Sequence, residues 1–142
     1  MRPDPVEALV AYIKADVQVA ALAAGRVYGA ELPPQEAAQM PRKAVVVTAA
    51  GGGATGPGAR SYLTVSTVRV DVRCYGETQY EAMRLWRAVH GALKGLGRRV
   101  QGQALVHAVY EEAGPLQTRD PEVGWPQVLS VWEALVAEMA IA

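Results

Sequence analysis

Three side chains in this sequence have the chemistry of a nucleophile and a base: Cys74, His90 and His107. A thiol beside an imidazole can act as such a pair when a third group orients the imidazole. Cys74, however, falls on the same face of a predicted strand as Val72, and no acidic residue stands at a diagnostic spacing from either histidine. We therefore interpret Cys74 as a small core residue and predict no catalytic dyad.

A glycine motif, Gly51-x-Gly53-x-x-Gly56, follows a predicted strand with the spacing of a dinucleotide-binding fingerprint. That fingerprint functions only where a helix starts at the loop and points its N-terminal amides at the pyrophosphate. Here Pro57-Gly58 and another predicted strand follow, and the sequence has no Lys-Ser or Lys-Thr pair for a phosphate loop. We predict no nucleotide site, no cofactor and no metal, and we interpret residues 50–60 as a flexible exposed loop.

Charged residues give the more informative pattern. Arg69, Asp71 and Arg73 alternate with apolar residues and so share one face of a strand. Two interpretations stay open for that face: exposure to water, or a subunit or partner interface in which arginine meets carboxylates. The basic pair Arg98-Arg99 either is solvated or approaches the phosphates of passing DNA. The candidate interface residues are Arg69, Asp71, Arg73, Arg60, Arg98 and Arg99.

Composition limits the classes of function. The chain has 142 residues, enough for one domain over residues 1–142, and its 14 basic and 14 acidic residues balance. A neutral chain is a poor candidate for a general nucleic-acid or acidic-membrane binder. A single cysteine excludes an internal disulfide framework. The sequence has no apolar run long enough to span a membrane and no signal-peptide run at its start, so we expect an intracellular, soluble protein.

Two main helices are predicted. The first begins at Asp4-Pro5, where a capping residue precedes proline, and Asp16 caps a short second turn that stops at Gly25. The second main helix begins at Thr78, with Glu81 three residues later as in a capping box.

The predicted strands are residues 26–29, 44–48, 62–75 and 104–112, with a bulge or twist near Ser66-Thr67 in the third. Residues 114–126 contain several glycines and prolines and are typical of a long hairpin loop. Residues 127–141 fit a helix and also fit a strand that is apolar on both faces; the preceding hairpin loop favours the strand. The order predicts an α+β fold, in which a mostly antiparallel sheet of four to five strands packs with two main helices.

This order resembles the tail terminator and tail-completion proteins of long-tailed phages and of gene transfer agents. The resemblance runs nearly end to end, although the glycine-rich stretch at 50–60 departs from it. The stretches that carry it are Asp16-Val17-Gln18-Val19-Ala20-Ala21-Leu22, Gly25-Arg26-Val27-Tyr28, Val68-Arg69-Val70-Asp71-Val72-Arg73-Cys74-Tyr75 and Glu77-Thr78-Gln79-Tyr80-Glu81-Ala82.

The resemblance implies a virion structural protein, assembled in the host cytoplasm, and not an enzyme. Such proteins form a ring, typically a hexamer, on the head-proximal end of the tail tube, where they end polymerisation and meet the head connector. The implied partners are other copies of the chain, the tube protein and the connector, with DNA only as cargo in the lumen. Residues 51–60 and 114–126 are then partner-contacting loops. The alternatives are a head-completion or stopper protein of the neck, or a small cytoplasmic enzyme or ligand-binding domain.

Overall fold

The computed structural model describes residues 4–55, 65–102 and 104–137. Its helices are α1 (Pro5–Ala15), α2 (Val17–Ala23), α3 (Pro34–Ala37) and α4 (Gln79–Lys94). Its strands are β1 (Val27–Gly29), β2 (Ala44–Thr55), β3 (Val65–Tyr75), β4 (Arg99–Gln101), β5 (Ala104–Arg119) and β6 (Pro126–Ala137). The α+β class is therefore confirmed.

The helix starts follow from local capping, as the sequence predicts. The Asp4 carboxylate accepts hydrogen bonds from the backbone N–H groups of Val6 and Glu7, at 2.9 and 3.3 Å. Asp16 caps α2 in the same way. At α4, Thr78 Oγ1 accepts from the Glu81 N–H at 3.2 Å. Each cap satisfies donors that the first helical turn leaves unpaired, so these starts depend on neighbouring residues alone.

The strands form one mixed sheet in the order β1-β2-β3-β6-β5-β4. β1 runs parallel to β2, and the other neighbouring pairs in this sheet are antiparallel. The predicted count of four to five strands is thus too low. The strand missing from the prediction is β4, whose three residues are too few to show an alternating pattern.

Two predicted loops are shorter than expected because strand pairing extends into them. β2 continues to Thr55 and pairs there with Val65, so Gly51–Thr55 is strand; residues 56–64 lie outside the described part of the chain. β5 continues to Arg119, so the connection to β6 is confined to residues 120–125. Backbone hydrogen bonds to a neighbouring strand hold these stretches extended.

The predicted bulge lies in the partner strand. β3 pairs with β6 without interruption from Val65 to Tyr75, so Ser66-Thr67 is regular. The register of β2 shifts instead between Ala49 and Gly52, opposite Arg69. Gly51 has φ +113° at this shift, a backbone conformation that disfavours L side chains, and this explains why glycine suits the bulge.

The core lies between α1, α2 and α4 and one face of the sheet, which we call the inner face. α4 contributes the apolar stripe that the sequence predicts, including Leu85, Trp86 and Val89. β6 contributes Val128, Trp132, Ala134 and Val136, so residues 126–137 form the strand that the hairpin argument favoured, and the helical alternative is wrong for them. The opposite face of the sheet, the outer face, lies away from this core.

The buried carboxylate of Glu36 links the elements around the parallel strand pair, β1 and β2. Glu36 on α3 is 8% exposed and accepts two hydrogen bonds from the Arg42 guanidinium, at 2.7 and 2.8 Å. The Tyr28 hydroxyl on β1 donates to the same carboxylate at 3.1 Å. The bonds from Arg42 hold the pKa of Glu36 below its ordinary value, against the opposing effect of burial. This network joins β1, α3 and the segment leading into β2.

We predict that Glu36→Gln lowers the free energy of unfolding at neutral pH by about 2 kcal/mol, since charge-assisted hydrogen bonds are lost at a buried site. Because the pKa is depressed in the folded state, this contribution is complete above the ordinary value of 4.5 and is lost as the pH falls through the lower, folded value. Urea titrations over this pH range should show the difference from the natural chain shrinking on acidification. Glu31→Gln, at an exposed position, is the control, and a difference independent of pH would contradict the assignment.

Candidate interaction surface

The outer face brings Arg69, Asp71 and Arg73 together, as their alternation predicts. They form a column along β3, in the middle of the sheet. Each lies directly opposite a residue of β6: Arg69 opposite Glu133, Asp71 opposite Val131 and Arg73 opposite Leu129. Directly opposed residues of neighbouring strands present their side chains on the same face. A charged column therefore stands beside a largely apolar one.

Arg69 is held in place by its own chain. It makes two hydrogen bonds to the Glu112 carboxylate on β5, at 2.9 and 2.6 Å, and so reaches across β6. The β5–β6 register shifts between Glu111 and Ala113, which leaves Glu112 as an extra residue on β5. Both partners remain substantially exposed, so the pair contributes less than about 1 kcal/mol to stability. Its main effect is to fix the position of two charges on the outer face.

The other two charges of the column differ in their surroundings. Asp71 has no ion-pair or hydrogen-bond partner for its carboxylate among the described residues, and it is only partly exposed. Arg73 lies near the phenol of Tyr75, which is packed edge-on against Trp125 with 6.0 Å between ring centroids. Burial raises the pKa of Tyr75, and the Arg73 guanidinium opposes that rise. Asp71 is thus the charge in the column that is available to a partner.

Apolar side chains accompany these charges. β6 presents Leu129, Val131 and Leu135 on the outer face, all partly exposed. On β5, Tyr110 lies opposite Glu133 and Leu116 opposite Leu129, and these two side chains are 56% and 58% exposed. Apolar groups in alternation with fixed charges are typical of an interface, because such surfaces combine apolar contact with polar specificity.

The remaining predicted interface residues lie elsewhere. Arg98 and Arg99 are at the far edge of the sheet, where β4 begins, and are not part of the charged column. The Arg99 guanidinium lies over the Tyr12 ring of α1, 5.1 Å from its centroid, and donates to Gln101 Oε1 at 3.2 Å. Arg60 falls outside the described residues. The described basic candidates therefore lie in two places: Arg69 and Arg73 on the outer face, and Arg98 and Arg99 at the β4 edge.

Cys74 and His90 have different surroundings, and among the described residues neither is a hydrogen-bond partner of the other. Cys74 is fully buried on the inner face, and burial strongly raises the pKa of its thiol. The His90 ring lies beside Trp86 and Trp132, tilted by 40° and 59° with centroids at 4.7 and 5.6 Å. Its Nε2 is 3.2 Å from a Glu111 carboxylate oxygen. Among residues 4–55, 65–102 and 104–137, no group of three or more His, Cys, Asp or Glu side chains could hold a metal ion. In the same residues, the helices fall short of the length and apolarity needed to cross a bilayer.

We predict that Cys74 does not react with a maleimide in the folded chain, because the thiol is buried and its pKa is raised. Mass spectrometry should find no labelling in native buffer and complete labelling in urea. Labelling of the native chain at the rate of a free thiol would contradict this burial.

Sequence reasoning missed the apolar part of the surface. The sequence did not predict Tyr110, Leu116, Leu129 and Val131 as interface residues. The identity of an apolar residue does not show whether its side chain is buried or partly exposed. The available signal was the β6 sequence itself, which is apolar on both faces although α1, α2 and α4 pack against only the inner one. An apolar strand face without helix cover indicates a surface that another molecule covers.

Comparison with known proteins adds two findings. A family model described as tail completion protein gp17 matches residues 7–136. Among solved structures, a chain from the virion of a native gene transfer agent particle is similar in fold, with a TM-score of 0.66 and 18% identity, over 93% of each chain. No curated protein matches the sequence.

Proposed function

Since this chain belongs to the tail completion protein gp17 family, we propose that it terminates the phage tail: it forms a ring on the head-proximal end of the tail tube, ends tube polymerisation and joins the tail to the head connector. The match to the family covers most of the chain, which confirms the tail-completion resemblance of its sequence. Its fold is also similar to that of a chain in a gene transfer agent virion, and a virion location for this protein is part of the proposal.

The observation that carries the proposal is the composition of the outer face. α1, α2 and α4 cover the inner face of the sheet, while the outer face presents Leu129, Val131 and Leu116 among charged residues. A ring subunit needs two different surfaces for its two neighbours and further surfaces for the structures above and below it. The outer face supplies one such surface without any catalytic group.

The partners are copies of the same chain, the tube protein and the connector protein, and DNA passes through the lumen as cargo. The equal numbers of basic and acidic residues suit this role, because a strongly basic ring would retain passing DNA by its phosphates. Asp71 and the pair Arg69–Glu112 place both signs of charge on the outer face, which suits a protein partner.

The test is a tube-capping assay, in which the purified chain is added to polymerising tail-tube protein and the products are viewed by electron microscopy. We expect shorter tubes with a ring on one end, because the ring occupies the growing end. Val131→Glu, which places a new charge in the apolar column, should reduce capping about tenfold or more, since its carboxylate would be desolvated beside Asp71.

Val17→Glu is the matched control. It makes the same change at a residue that is 82% exposed in the first turn of α2, where an acidic side chain is favourable. This variant should cap tubes as the natural chain does. Thermal melts show whether both variants are folded. Tubes of unchanged length with the natural chain would overturn the proposal. Full capping by folded Val131→Glu would show that capping does not use the outer face.

A further inference from the structure

At each edge of the sheet, a short strand pairs with only part of its longer neighbour. β1 covers only Val45–Val47 of the twelve-residue strand β2, so β2 is without a neighbour on that side from Ala49 to Thr55 within the described chain. At the other edge, β4 covers only Ala104–Val106 of β5, and the rest of β5 has no further strand beside it in the described residues. Such stretches carry unpaired backbone N–H and C=O groups that can pair with another strand.

The two short edge strands, β1 and β4, lie at opposite ends of the sheet. The registers place Thr55 of β2 level with Val65 of β3 and Ala137 of β6, at the end of the sheet where β5 starts. β4 therefore lies at that end, while β1 lies at the other.

Arg99 pairs with Val106, which is level with Val136, Ser66 and Ala54, so in copies that stand side by side at equal height β4 of one faces Ala54 of the next. To bring β4 beside Ala49, one copy is displaced along the strands by about four to six residues, a shift of roughly 13–20 Å. In the same arrangement, β1 of the second copy faces the uncovered part of β5 in the first.

A surface groove lies beside Ala49, where the uncovered part of β2 begins. This groove has a volume of about 490 Å³, and its lining combines apolar or small residues with the acidic residues Asp4 and Glu7. The apolar or small lining residues are Val6, Val10, Gly29, Ala30 and Ala49. A three-residue strand is short enough to enter beside Ala49 without displacing β1. The groove thus has the position and the apolar floor that an added edge strand needs.

The charges at the two edges are opposite in sign. β4 carries Arg99, which projects toward the helix side of the sheet, and Arg98 precedes it. Glu7 lies on that same side at the groove, exposed in the first turn of α1. Within the described chain, neither Arg98 nor Glu7 has an ion-pair partner. The other exposed group of β4 is Val100, which is 52% exposed.

From this complementarity we infer that copies of this chain join head to tail through their sheet edges, with β4 of one copy added to β2 of the next. The inference rests on the proposed ring and specifies how it closes. A head-to-tail contact uses two different patches of the surface, so it repeats around a ring without forming a two-fold dimer. Arg98 and Arg99 of one copy then lie beside Glu7 and Asp4 of the next, and the sheet continues across the subunit boundary.

The test is directional cross-linking of two single-cysteine variants, Ala49→Cys and Gln101→Cys. Both positions are on the helix side of their strands, at the two edges that are inferred to meet. The natural Cys74 is buried and does not compete for the reagent. A bismaleimide of about 10 Å reach, comparable to two strand spacings, tolerates small differences in register. The reaction is run on the free chain and on the chain with tail tubes.

We expect cross-linked dimers in the mixture of the two variants and none in either variant alone. A mixture of Ala49→Cys with Arg87→Cys, an exposed position on α4, should also give none. Dimers of Ala49→Cys with itself would indicate a two-fold contact and overturn the inference. Rings that form without any cross-link in the mixture would overturn the edge contact and leave the proposed function standing. Absence of rings and of capping under all conditions would overturn both.

A charge exchange gives a second readout. Arg98→Glu should weaken ring formation about tenfold, a change of about 1.4 kcal/mol per contact, because it places two acids together at the groove. Combining it with Glu7→Lys in the same chain should restore assembly, since the opposite signs are recovered with the positions exchanged. Mass photometry measures the assembled fraction, and thermal melts report folding. Failure of the double variant to recover, with both single variants folded, would contradict the pairing of these edges.

Discussion

The constraint on which this structure depends is that α1, α2 and α4 all pack on the same face of a six-stranded sheet. Burial of the inner face provides the core, with Trp132, Leu85 and Val70 among its fully buried side chains. The strands that supply this core necessarily present every second residue on the other side. The outer face is therefore a direct consequence of the fold, and its residues are not required to fill this core. α3 lies at the β1 end of that face, where Glu36 accepts from Tyr28, and the β3–β6 part of the face carries both charges and apolar groups.

The sequence was sufficient wherever a structure depends on neighbouring residues. The caps at Asp4, Asp16 and Thr78 and the stripe of α4 could be predicted because the interacting groups lie within a few positions of each other. The prediction was wrong where pairing with distant residues decides the outcome. Gly51–Thr55 and residues 114–119 contain few side chains that favour a strand, yet hydrogen bonds to β3 and β6 hold them extended. Tertiary pairing outweighs weak local preference at such positions.

The candidate surface was predictable only in part, for a related reason. Alternation along β3 placed Arg69, Asp71 and Arg73 on one face, since that requires only the period of a strand. The partner of Arg69 could not be predicted, because Glu112 lies on β5 and its position depends on a register shift. The same holds for Glu36 and Arg42, which are close in the chain but meet only because α3 packs beside β1. These two ion pairs also differ in effect. The buried pair Glu36–Arg42 stabilises the fold, whereas the exposed pair Arg69–Glu112 mainly fixes two charges on the surface.

The directions of the strands give the molecule a polarity of its own. One end of the sheet holds the C-terminal ends of β2 and β6, while the opposite end holds the 120–125 turn and the junction between β3 and α4. These two ends differ in residues and in shape, so subunits that all point the same way would expose two unlike rims. This difference between the two ends follows from strand direction alone.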